Sequence, residues 1–119
     1  MEHTGTTLVT NDATDALVKK PLLQAMSGMY LGETGSAANP LANPLYADFE
    51  GFPRLYINAV AVETLRNDSE RLHERAAATG VDSVLSIVPG MQHVFPILAG
   101  RAPEADAEIQ RIAAWYNAL

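Results

Sequence analysis

The 119-residue chain has no cysteine, which excludes a disulfide framework, a thiol nucleophile, thiolate-bound zinc and iron–sulfur clusters. Positive charge is also scarce. Eight Lys and Arg stand against 14 Asp and Glu for a net charge of -6, and the basic residues are scattered, so the patch that a phosphate backbone requires is missing and nucleic acid is not an expected partner. The three histidines (His3, His73 and His93) are widely separated and lack metal-ligand spacing, so neither a metal nor another cofactor is expected. No run approaches the roughly 18 consecutive apolar residues needed to cross a bilayer. Met1-Glu2-His3-Thr4-Gly5 has neither the basic start nor the apolar stretch of a signal peptide, and a cytoplasmic location is expected. Internal repeats, low-complexity tracts and composition shifts are absent as well. What is present is 48% hydrophobic content, enough for the buried core of one soluble domain.

Residues 1–14 are Thr-rich and polar without apolar periodicity, which predicts a loop or disordered lead-in before the organised part of the chain, 15–119. Pro21 at a first helical position, then Leu22, Met26, Met29 and Tyr30 at helical spacing and Gly32 just beyond, predict an amphipathic helix. From Glu33 to Pro53 three prolines and two glycines interrupt any regular pattern, giving a surface loop of roughly 20 residues, long for a compact domain unless it serves a site or crosses a larger body. Leu55–Ala61 and Val84–Val88 are almost continuously apolar, as strands buried on both faces of a parallel sheet are. Between them Asn67 is a candidate cap with Glu70 three positions on, Leu72 and Ala76 share a face, and Gly80 follows. The unit is βαβ. A last helix starts at Pro103 with Glu104 in its first turn, and its stripe of Ile109, Ile112, Ala113 and Tyr116 should pack on the sheet.

A two-stranded parallel sheet rarely stabilises itself in water and needs cover on both faces. Something else must therefore flank these strands: further chain before this sequence, strands from other copies, or nothing, leaving a marginal fold.

Chemistry concentrates in Pro89-Gly90-Met91-Gln92-His93-Val94-Phe95, directly after the second strand. A Gly-containing turn there presents an imidazole at the carboxyl edge of the sheet, where open α/β sheets bind ligands. Imidazole exchanges protons near neutrality but needs a partner to fix its tautomer when it serves as a general base. Glu63, just after the first strand, would emerge at the same edge. Asp68 competes for that role, although a place in a helical first turn already accounts for it. The bland alternative for His93 is a surface or structurally hydrogen-bonded histidine. His73, among Glu70, Arg71, Glu74 and Arg75, is expected on a solvated helix face, and His3 in the tail. Met26, Met29, Trp115 and Tyr116 are expected in the core rather than against a ligand.

Four segments together resemble a known family. Asn39-Pro40-Leu41-Ala42-Asn43-Pro44-Leu45-Tyr46-Ala47-Asp48, Gly51-Phe52-Pro53, Glu63-Thr64-Leu65-Arg66-Asn67-Asp68-Ser69 and the His93 turn occur in the order and spacing of the C-terminal region of bacterial hormone-sensitive-lipase-type carboxylesterases. The chain departs from the usual family pattern at Val60, before the acid, and at Asn67-Asp68 after it. The resemblance covers about residues 15–119 and implies part of an α/β-hydrolase fold, with two parallel strands and flanking helices. It also implies that His93 is a general base and Glu63 its orienting acid in a Ser–acid–His triad, with Met91 and Phe95 bordering an acyl pocket.

None of the five serines (Ser27, Ser36, Ser69, Ser83 and Ser86) lies in a Gly-x-Ser-x-Gly frame, and no His-Gly-Gly stretch is present to form an oxyanion hole. The expected function is thus the C-terminal fragment of a serine carboxylesterase or lipase for short acyl esters, carrying acid and histidine without the nucleophile and inactive alone. Its partners would be an ester substrate and an N-terminal complementing segment. The alternative is a non-enzymatic α/β interaction module that forms homo-oligomers through its strand edges.

Overall fold

A computed structural model describes residues 4–118, so His3 lies outside the described residues. The expected βαβ unit is present. Strand β1 (Leu55–Val60) pairs in parallel with β2 (Ser83–Val88), in a register running from Leu55 opposite Ser83 to Val60 opposite Val88. Helix α3 (Arg66–Ala78) connects them, and Gly80, at φ 84°, makes the left-handed turn into β2 that a side chain would resist. Because the strands run the same way and end in register, the segments after Val60 and Val88 leave the sheet side by side. The Ala61 N–H still donates to the Val88 carbonyl at 3.0 Å.

The strands are less enclosed than their composition suggests. All of β2 and most of β1 are half-buried, and only Ala59 and Val60 are fully buried, because the described residues supply two strands and no third on either edge. Three small apolar clusters replace one large core. Leu8, Val18 and Leu23 form the first, Phe49, Ala76 and Val81 the second, and Val60, Phe95 and Ala105 the third. The Glu33–Pro53 segment is a loop with one 3-10 turn (Pro44–Tyr46), pinned by buried Leu45 and Phe49.

Four expectations about the helices require correction. The lead-in expected to be loop or disordered contains a short helix, α1 (Thr7–Thr10), whose Leu8 is 1% exposed. Asn67 does not cap α3. The helix begins one residue earlier, and the Asn67 N–H is satisfied by Thr7 Oγ1 at 2.9 Å, so a residue remote in sequence takes the place of a local cap. Helix α2 (Lys20–Leu31) has the expected bounds, ending at Gly32 with φ 61°. Yet it buries only Leu23, while Leu22, Met26, Met29 and Tyr30 are exposed.

Helix α4 (Pro103–Asn117) likewise turns a different face to the sheet from the expected one. Ile109, Ala113 and Tyr116 are exposed, and the inward positions are Ala105 and Glu108, with half-buried Ile112 and Trp115. The reason is a polar cluster on the sheet. Tyr56 and Asn58, two apart on β1, share a face, and Ser86 is the β2 partner of Asn58. Tyr56 Oη and Asn58 Nδ2 donate to Glu108 Oε1 at 2.9 and 2.8 Å, while Ser86 Oγ donates to Oε2 at 3.2 Å and Arg111 Nε at 2.8 Å. A carboxylate so fully partnered sits in the interior at 0% exposure. Trp115 packs edge-on against Tyr56 at 5.6 Å and beneath the Arg54 guanidinium at 5.0 Å.

Burial works to raise the Glu108 carboxyl, but hydrogen bonds from Arg111, Tyr56 and Ser86 hold it below its ordinary value. A value lower in the folded than in the unfolded chain contributes stability that is complete above the unfolded value, roughly pH 4.3, and is lost as pH falls through the folded one. Glu108→Ala, which strands three sheet donors and leaves Arg111 without this partner, is expected to cost about 2–4 kcal/mol at neutral pH. In Glu108→Gln the urea midpoint should fall less steeply with acidification below roughly pH 4.3 than in the wild type. Equal acid slopes in the two proteins would refute the assignment.

Candidate active site

The two residues singled out by sequence meet at the carboxyl edge of the sheet. Glu63 sits in the turn that ends β1, where its own N–H reaches back to the Val60 carbonyl at 3.4 Å. This folds the side chain inward. Oε1 accepts the Val60 N–H at 3.1 Å, and Oε2 lies 2.5 Å from Nδ1 of His93. The carboxylate side chain is 4% exposed and the imidazole 30%, so the carboxylate is enclosed while the imidazole remains reachable.

His93 is held from both ends of its turn. Gly90, at φ 74°, turns the chain after β2, and Phe95, 2% exposed, anchors the far end among Val60 and Ala105. Phe95 also donates its N–H to the Gln92 carbonyl at 3.1 Å. Between these anchors Val94 adopts φ 53°, ψ 29°. That left-handed conformation is costly for a β-branched residue, and such strain persists only where the surroundings over-determine it.

With Nδ1 directed at Glu63, Nε2 is the nitrogen that can act outward. A hollow of about 340 Å³ is lined by Asn58, Val60, Glu63, His93, Pro96 and Ile97. A second, of about 410 Å³, has Leu17, Met91, His93, Ile97 and Leu98 on its walls. Phe95 also touches this second hollow but presents almost no surface. Its part is to anchor the turn. An imidazole oriented by an enclosed carboxylate can take a proton from a hydroxyl through Nε2, and the carboxylate steadies the imidazolium that forms.

The other candidates are engaged elsewhere. Asp68, the competing acid, faces Arg71 Nη1 at 3.5 Å within the first turn of α3. His73 pairs Nδ1 with Ser83 Oγ at 2.9 Å, a packing contact between α3 and β2. No group of three or more His, Asp or Glu that could hold a metal ion occurs among the described residues, and no helix there is long and apolar enough to cross a membrane.

Sequence reasoning missed the residues that support this pair. Asp15, 0% exposed, accepts the N–H groups of Leu17 and Val18 through Oδ1 at 3.0 and 2.8 Å. Its Oδ2 accepts the Thr64 N–H at 2.8 Å and the Thr64 hydroxyl at 3.1 Å. Burial works to raise its carboxyl, and the backbone donors from Val18, Thr64 and Leu17 bring it below the ordinary aspartate value. The signal was present in Asn11-Asp12-Ala13-Thr14-Asp15, since Asn, Asp and Thr favour hydrogen bonds to backbone over continued helix.

The sequence and fold have counterparts in known proteins. A family described as alpha/beta hydrolase fold matches residues 2–97. An esterase from Acinetobacter venetianus is 29% identical over 116 residues, covering 98% of this chain and 38% of that protein. The crystal structure of an esterase from the bacterial hormone-sensitive lipase family superposes with a TM-score of 0.93 at 38% identity, over 97% of this chain and 38% of that one. A hormone-sensitive lipase from a metagenome library gives 0.91 at 35% identity, over 98% and 40%. The chain thus spans about 38% of the length of the relatives it matches first. It belongs to the alpha/beta hydrolase fold family, where its counterparts are esterases of the bacterial hormone-sensitive-lipase type.

Proposed function

We propose that this chain supplies the general base, His93, and its orienting acid, Glu63, to a serine carboxylesterase acting on short acyl esters. The observation that carries the proposal is the 2.5 Å contact between His93 Nδ1 and an enclosed Glu63 carboxylate at the edge where both strands end. His93 Nε2 takes the proton from a serine hydroxyl as the oxygen attacks the ester carbonyl, then returns it to the departing alcohol. Water repeats the cycle on the acyl-enzyme. The Glu63 carboxylate holds the Nδ1–H tautomer and offsets the imidazolium charge.

The serine and the oxyanion donors must come from another segment, because no serine of this sequence has the Gly-x-Ser-x-Gly setting. That segment would also cover the apolar positions left open around the imidazole, Val94 and Ile97, which are 55% and 81% exposed.

The purified chain is expected to show no p-nitrophenyl ester turnover. Joined to the N-terminal portion of an esterase of this family, carrying its elbow serine, it is expected to become active. His93→Ala in that joined enzyme should lower kcat by roughly four to six orders of magnitude. Glu63→Gln should lower it by roughly four orders by releasing the tautomer. Turnover by the joined enzyme that survives His93→Ala would sink the proposal, and turnover by the chain alone that disappears with His93→Ala would place a nucleophile within these residues.

A further inference from the structure

The end of the segment expected to be a loop or disordered lead-in, together with the two residues after it, is bonded to both halves of the candidate site. Asn11 Nδ2 donates to the carbonyls of Ala61 and Glu63 at 3.1 and 2.9 Å. Thr14 Oγ1 donates to the Val62 carbonyl at 3.0 Å. Asp15 takes the N–H and hydroxyl of Thr64. Glu63 is thereby bracketed: its own carbonyl, the carbonyls of the two residues before it and the amide of the residue after it are all tied to one short stretch. The histidine turn reaches the same stretch through Gln92. Its Oε1 accepts the Ala16 N–H at 2.8 Å and its Nε2 donates to the Thr14 carbonyl at 3.2 Å.

We infer that Asn11–Ala16 is a strap that sets the separation of the two catalytic side chains, and that Gln92 is the positioning residue through which it acts on His93. The inference rests on the proposed His93–Glu63 pair and deepens it. A hydrogen bond between side chains on two separate loops tolerates little drift, since hydrogen bonds weaken steeply with distance and misalignment. The acid loop and the histidine turn project beyond the sheet ladder, whose last bond is Ala61 N–H to the Val88 carbonyl. Past that point the strap bonds each of them to a common backbone. Gln92 is suited to the task because its amide pairs with a donor and an acceptor of that backbone at once, as a neighbouring strand would. Asp15 rigidifies the strap through four hydrogen bonds received in the interior.

The test reads the tautomer of His93 by nitrogen-15 NMR in the full chain, at a pH where imidazole is neutral. A carboxylate acceptor at Nδ1 selects the Nδ1–H form, whereas a free imidazole favours Nε2–H. The wild type is expected to show Nδ1–H alone. Gln92→Ala and Asn11→Ala should each lose that single-tautomer signature. Gln92→Glu keeps the acceptor for Ala16 and loses the donor to Thr14, and it should give an intermediate mixture even where the alanine variant fails to fold. Phe49→Leu, which loosens the separate cluster of Ala76 and Val81, should lower stability and leave the tautomer unchanged. A signature retained in the Gln92 variants, or lost equally in Phe49→Leu, overturns the strap while leaving the pair standing. Absence of Nδ1–H from the wild type overturns the pair and the strap with it.

Discussion

Parallel pairing of β1 with β2, ending with Val60 beside Val88, brings two residues 30 positions apart in sequence into contact. Antiparallel strands would send Glu63 and His93 to opposite ends of the sheet. Parallel strands with a helical crossover must send them to the same end, and the in-register finish leaves only a few residues of loop to bridge the remaining gap. Short loops limit how far each side chain can wander. The contact between the carboxylate and the imidazole is a product of topology first and of local chemistry second.

The local chemistry then narrows the geometry. Glu63 returns one oxygen to the N–H of the last residue of its own strand, so its other oxygen has a fixed direction. His93 sits between a glycine turn and a buried phenylalanine, and the valine between them takes up a left-handed conformation. Both side chains are therefore placed by commitments of the backbone on either side of them.

Much of this was legible in the sequence. Apolar runs at Leu55 and Val84, separated by a helix-length polar segment, are sufficient to call a βαβ unit, and residues directly after parallel strands are the ones such a unit collects. Pro21, Gly32 and Pro103 marked helix bounds correctly because their effects are local. The failures concern long-range contacts. Thr7 satisfying the first turn of α3, and Asp15 receiving Thr64, join residues about 50 to 60 positions apart, so no window of periodicity contains them. In α2 and α4 apolar spacing does not mark the inward side. In α4 the inward side is defined by a glutamate with five donor contacts from Tyr56, Asn58, Ser86 and Arg111.

That glutamate also restricts how α4 can sit. Hydrocarbon side chains alone would let a helix slip along a sheet with modest penalty, since one greasy contact substitutes for another. Sliding by one turn, about 5.4 Å, would instead carry an ionised group away from Tyr56, Asn58 and Ser86 and toward Val60 or Val84 of the same sheet face, neither of which offers a side-chain donor. The helix is keyed to a single axial position, and with it Ala105, which packs beneath Phe95 and so determines how high the histidine turn rides above the sheet.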